Sequence, residues 1–180
     1  MLAPLYIALI LTYFTGNELL SLCRNSKKFA NIIKKYGKLF NITRLRPDIT
    51  DDDLKYFEKV KSIDLCLCRN ITDTGIRHLK SIHSINLSFC GQITDVYLYH
   101  LRGVHTIDLY ACDQITDIGL AHLSDVTNII LSHCKITDAG LAHLKKVRNI
   151  ELRFCSGITQ LQQGPGIIVS YCNKSHHEYY

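Results

Sequence analysis

The chain has 180 residues, 47% of them hydrophobic, and a formal net charge of +5, which suits one domain around a buried core and excludes a disordered chain. The charge is uneven: eight Lys or Arg and no acid lie between Arg24 and Arg46, then twelve bases against thirteen acids from Ile49 to Gly157. No zinc-finger, RNP or P-loop spacing surrounds the basic stretch, so it reads as a solvated helical face and not as a nucleic-acid site.

The first segment, "MLAPLYIALILTYF", is apolar, but it lacks a basic n-region and a small-residue cleavage site. Its uncharged run ends at Asn17 and Glu18, short of the ~20 residues a spanning helix needs. The expectation is a soluble intracellular monomer with no membrane contact. Sequons at Asn41, Asn70, Asn86 and Asn173 would matter only in a secreted chain. Residues 1–40 are expected as a helical unit, residues 41–48 as linker and first strand within a basic connection near Lys34 to Pro47, and 176–180 as a tail.

From residue 49 to 175 the chain repeats itself. "ITDDDLKYFEKVKSIDLCLCRN" begins at Ile49, and close copies begin at Ile71, Ile93, Ile115 and Ile136, spaced by 22, 22, 22 and 21 residues; a shortened sixth starts at Ile158. In each copy, alternation such as Ile150 and Leu152 against Asn149, Glu151 and Arg153 predicts a half-buried strand. The upstream half, "ITDAGLAHLKKV", spaces Ile136, Leu141, Leu144 and Val147 nearly helically, with Thr137 placed to cap a turn and Asp138 in its first turn. One unit buries about six apolar side chains worth about 1.5–3 kcal/mol each, against a backbone-ordering cost on the order of 1–2 kcal/mol for every residue. A lone unit cannot fold, and a stack can.

Cys68, Cys90, Cys112, Cys134, Cys155 and Cys172 each follow the first strand isoleucine or its equivalent by five residues, where a small, weakly polar side chain fits an inward turn. Parallel strands step about 4.8 Å per repeat, so the column cannot close around one zinc ion. Neighbouring pairs fall within disulfide reach, but buried free thiols are expected; Cys66 alternates onto the exposed face. His78, His100, His122 and His143 also recur once per unit and read as partly exposed helix positions. No metal site and no cofactor are expected, and with no hydrolase, zincin, P-loop or dinucleotide motif the chain is expected not to be an enzyme.

Strand residues facing away from the core form columns that vary between copies: Ser62, Asp64 and Cys66; Ser84, Asn86 and Ser88; Thr106, Asp108 and Tyr110; Asn128, Ile130 and Ser132; Asn149, Glu151 and Arg153. Variation at fixed spacing on a solenoid face is what a recognition surface looks like. Asp64, Asn86, Asp108, Tyr110, Ile130, Glu151 and Arg153 are the candidate partner contacts, with Tyr110 and Ile130 as anchors. The substrate cannot be named from them.

The strand "I-x-L-x-x-C" followed by "ITD-x-G-L", over Ile49 to Cys172, resembles the cysteine-containing leucine-rich repeats. It implies an α/β fold, a right-handed solenoid with one short parallel strand and one short helix per unit. Residues 2–33 resemble an F-box: Leu2 and Pro4 fall near its Leu-Pro start, "ILTYF" matches its first-helix end, and "NELLSLCRNSKKFANII" its second and third helices. Ala3, Leu5 and Asn25-Ser26 depart from the family pattern. The resemblance implies docking on a Skp-type linker subunit of a cullin-RING ubiquitin ligase through Leu2, Pro4, Ile7, Ile10, Leu11, Phe14, Leu19 and Leu20, with the repeats holding a substrate protein. The alternative is a leucine-rich-repeat scaffold whose helices only cap the array. Whether Leu5, Ile7, Leu11 and Phe14 stay exposed discriminates the two. The composition, rich in Ile, Asn, Lys and Tyr without Trp, also resembles the short viral F-box and repeat proteins of giant DNA viruses.

Overall fold

A computed structural model describes residues 4–43, 45–159 and, as backbone, 168–172; Leu2 and the side chain of Cys172 lie outside them. Among the described residues seven strands pair in chain order into one parallel sheet: β1 (Asn41–Ile42), β2 (Ser62–Asp64), β3 (Ser84–Asn86), β4 (Thr106–Asp108), β5 (Asn128–Ser132), β6 (Asn149–Arg153) and β7 (Ile168–Cys172). Ser62 pairs with Ser84, Ser84 with Thr106, Thr106 with Asn128, and Asn128 with Asn149, so the register advances by the sequence repeat. The copy that is one residue short keeps this register because it loses its residue after Cys134, outside the strand. The fold is a leucine-rich-repeat solenoid.

On the other side run helices of four to six residues, α4 (Asp51–Leu54), α5 (Asp73–Ile76), α6 (Asp95–His100), α7 (Asp117–Leu120) and α8 (Asp138–Leu141). A threonine caps α5, α7 and α8 by accepting the N–H of Thr74, Ile118 or Ala139. Ile71, Ile76, Leu79, Ile82, Ile85, Leu87 and Cys90 show the inner composition of one unit, all at most 2% exposed. They belong to a single core that also includes Ala8, Leu19 and Ile33 from the N-terminal helices.

Those helices are α1 (Pro4–Leu11), α2 (Gly16–Asn25) and α3 (Lys27–Tyr36). Thr15 and Glu18 form a reciprocal capping box at α2. Gly16 is required there, because a Cβ would stand 2.4 Å from the Thr43 carbonyl. The stretch expected as a linker carries the end of α3, a 3-10 turn (Gly37–Leu39) and β1. Strand β1 pairs with β2, so the helical unit occupies the place of a preceding repeat. Arg24 fastens it, donating to both oxygens of Asp53 at 2.8 and 2.6 Å. No helix among the described residues is long and apolar enough to cross a membrane.

Between all but one pair of described repeats, the aspartate of the ITD reaches to the threonine of the next. Thr116 donates its N–H and hydroxyl to Asp95 at 2.9 and 2.6 Å, and Thr137 donates likewise to Asp117 at 2.8 and 2.6 Å. Asp51 receives Thr72 and Asp138 receives Thr159 in the same way. In three repeats a glycine two residues after the acid exists for this contact with the preceding repeat. A Cβ at Gly75, Gly119 or Gly140 would lie 2.1–2.3 Å from the preceding repeat's carboxylate oxygen. Tyr97 stands where that glycine belongs, and there the ladder breaks: no bond joins Asp73 to Thr94, and Asp73 turns toward His100 Nε2 at 3.1 Å. Its Oδ1 is buried without an aligned hydrogen bond.

Candidate functional site

The strand side opens as a groove of about 510 Å³ across β1 to β6, with Asp64, Asn86, Asp108, Ile130 and Glu151 on its middle line. Asp64 Oδ1 accepts the Cys66 N–H, Asn86 Oδ1 the Ser88 N–H and Asp108 Oδ1 the Tyr110 N–H, each near 3 Å. These Asx turns bend the chain out of the sheet, and β2, β3 and β4 stop at three residues. Ile130 and Glu151 cannot make the turn, and β5 and β6 run for five. The middle column therefore sets strand length as well as surface chemistry.

Glu151 is engaged by Arg153 Nε at 2.7 Å, while neither Asp64 nor Asp108 has a basic partner among the described residues. Burial above all, with Glu151 and Asp64 nearby, raises the Asp108 carboxyl against the opposing Tyr110 N–H bond. Among the described residues the groove is lined by three carboxylates, one of them engaged by the Arg153 guanidinium. Ser88 and Ser132, expected on the outward columns, are buried. Ser132 pairs with the longer Arg153 on the neighbouring strand, and its hydroxyl has no partner among the described residues.

At the C-terminal rim of the strands, Leu67, Phe89, Ala111, His133 and Phe154 all adopt φ of 56–65°. A non-glycine residue there costs roughly 1–2 kcal/mol. The turn sends the following cysteine inward, where Cys90, Cys112, Cys134 and Cys155 donate Sγ–H to the carbonyls of Leu65, Leu87, Leu109 and Leu131 at 3.1–3.4 Å. The rim side chains point out instead. Phe89 and Phe154 are 46% and 48% exposed. Phe89 meets Tyr110 at 5.1 Å, Tyr110 meets His133 at 5.6 Å, and His133 stacks on Phe154 at 4.6 Å. Sequence reasoning found Tyr110 and missed its three neighbours, which sit one residue beyond the alternating columns.

The inner thiols of the described residues, Cys68 to Cys155, are free. Burial pushes Cys68 and Cys134 up to about 12 and Cys90 up to about 11, and it raises Cys112 and Cys155 as well. Half-buried Cys66 is different. Brief alkylation of the native protein followed by peptide mass mapping should modify Cys66 while these five stay unmodified; equal labelling in the folded state would contradict the buried column. Among the described residues no group of three or more His, Cys, Asp or Glu is arranged to hold a metal ion. His78 lies 3.5 Å from Glu58, and the Tyr99 ring meets both His100 and His122 edge-on.

The second surface is on α1. Leu11, Leu19 and Leu20, expected as docking residues, are 1–4% exposed and belong to the core, and Ile7 is partly buried. Pro4, Ile10 and Phe14 are exposed, joined by Leu5, Tyr6, Leu9 and Tyr13. The cause is that "PLYIALIL" is apolar all round, so its spacing does not say which face turns inward. Packing chooses Ala8 and Leu11.

No protein-family model matches the sequence, and no curated protein does. Solved structures do match. One is a chain in the crystal structure of the Rad7 and Elc1 complex in yeast, at 13% identity and a TM-score of 0.47, covering 68% of this chain and 44% of that one. Another is in the Toll–Spatzle complex, a molecular hub in Drosophila development and innate immunity, at 17% identity and a TM-score of 0.36, covering 65% of this chain and 23% of that one. The chain spans less than half the length of either.

Proposed function

We propose that this protein is a non-enzymatic adaptor that holds one partner on the strand side of its repeats and docks through α1 on a Skp-type linker subunit of a cullin-RING ubiquitin ligase. The observation that carries this reading is the uncovered apolar face of α1, with Leu5, Leu9 and Ile10 46–51% exposed on a helix whose other side is packed. An exposed apolar patch on an otherwise satisfied unit marks an interaction site. The F-box resemblance of residues 2–33 supplies the class of partner. Capping the array and docking do not compete, since they use opposite faces of one helix. The ligase role works by raising effective concentration, with no bond made or broken by this chain.

A pull-down with a purified Skp-type linker subunit tests it. The wild-type chain should bind, and Leu9→Asp with Ile10→Asp should lose at least about tenfold in affinity while the circular dichroism melt is unchanged, because both positions are exposed. Equal binding by the double variant, or none by the folded wild type, would remove the ligase reading and leave a repeat scaffold.

A further inference from the structure

We propose that the aromatic rim formed by Phe89, Tyr110, His133 and Phe154, together with the carboxylates of Asp64 and Asp108, docks an extended segment of a partner protein carrying arginine or lysine side chains. This deepens the adaptor reading by giving the strand-side partner a chemistry, and it rests on that reading.

Three observations converge. Three of the four rim residues are kept at left-handed backbone positions, φ 59° at Phe89 and 56° at His133 and Phe154, where glycine would be easier to accommodate. Strained backbone that a fold retains points toward function. Phe89, His133 and Phe154 are also kept exposed, with Tyr110 half-buried between them, and the rings touch one another in a row instead of turning into the core. Finally, the charge beside the row is one-sided among the described residues: Arg153 is matched to Glu151, and neither Asp64 nor Asp108 has a cation.

A ring face next to an unmatched carboxylate suits a guanidinium or ammonium, which the ring attracts through its quadrupole and the acid through its charge. The rim crosses the strands from Leu67 to Phe154, a step of about 4.8 Å per repeat, or roughly 19 Å in all. An extended chain covers that in about six residues. An acidic segment or a nucleic-acid backbone would meet the carboxylates with like charge.

Fluorescence anisotropy on the full chain tests this, with a labelled pool of decapeptides bearing Arg or Lys at alternate positions and any residue between. A second pool carries Glu at those positions. The basic pool should bind at least about tenfold more tightly than the acidic one. Phe89→Gly with Phe154→Gly should weaken it about tenfold while the melting temperature holds or rises, since glycine relieves both left-handed residues. Asp108→Asn should weaken it about threefold. Failure of the basic pool to bind, equal binding of the acidic pool, or undiminished binding by the folded glycine variant would each overturn the proposal. The Leu9→Asp, Ile10→Asp chain should bind the peptides as wild type does. Loss of linker binding with the rim intact therefore sinks only the ligase reading, and loss of peptide binding with linker binding intact sinks only the rim.

Discussion

Arg24→Ala should destabilise the protein by about 2–3 kcal/mol, measured by urea unfolding near neutral pH. Asp53 sits on the first turn of the first repeat with its side chain 7% exposed, and Arg24 grips both its oxygens while Thr50 donates its N–H and hydroxyl to Oδ2. Removing one partner of a buried pair typically costs about 3–5 kcal/mol. The Arg24 side chain is 44% exposed, and solvent screening sets the expectation below that range.

The pH dependence follows from the same contacts. Burial alone would raise the Asp53 carboxyl, but the Arg24 and Thr50 hydrogen bonds overcome it and hold the group below its ordinary range. The stabilisation is therefore full above the unfolded carboxyl's pKa of about 3.9 and is lost as pH falls through the lower folded value. The wild-type and Arg24→Ala stability curves should converge on acidification below about pH 4. Arg24→Met with Asp53→Leu should recover most of the loss. A loss under about 0.5 kcal/mol for Arg24→Ala would mean that the pair does not fasten the helices to the repeats.

Gly119→Ala should cost about 2–3 kcal/mol, although alanine is the better helix former by about 1 kcal/mol. Its Cβ would lie 2.3 Å from Asp95 Oδ1 and 2.9 Å from Leu98 Cδ1, so the Asp95 carboxylate must leave Thr116. A double-mutant cycle isolates the cause. With Asp95→Ala already in place, Gly119→Ala should cost only about 1 kcal/mol, the share left by the Leu98 contact, giving a coupling of about 1–2 kcal/mol between residues in adjacent repeats. Additive losses would show that the glycine serves only its own backbone.

The period, the strand alternation and the cysteine position made the solenoid legible, because each repeat states the same burial pattern and the register follows from the spacing. The roles of Asp95 and Gly119 were harder to see. The aspartate looked like a local helix-dipole partner, as Asp138 did, because its acceptor role lies one repeat away. The ITD-x-G spacing held the clue, since a glycine one turn into a helix needs a reason. At α1 an all-apolar helix left the inner face undecided, so Leu11 passed for a surface residue. The rim escaped for another reason: Phe89, His133 and Phe154 fall where strand alternation has ended, and nothing in a period of two foretells a left-handed turn.

The interruption at Tyr97 bears on how the array comes apart. A stack coupled only between neighbours behaves as a chain of linked units, each boundary with its own strength. Most boundaries here are held by strand pairing, core contact and a carboxylate clasp, whereas the one between Asp73 and Thr94 has lost the clasp. That boundary is the natural seam between two cooperative blocks, the helices with the first two repeats on one side and the later repeats on the other. The rim row crosses this seam unequally: Leu67 and Phe89 lie in the earlier block, Ala111, His133 and Phe154 in the later one, and the Phe89–Tyr110 contact spans it. A partner lying along the rim would bridge the seam, so occupancy would tighten the array at the boundary that lacks the clasp.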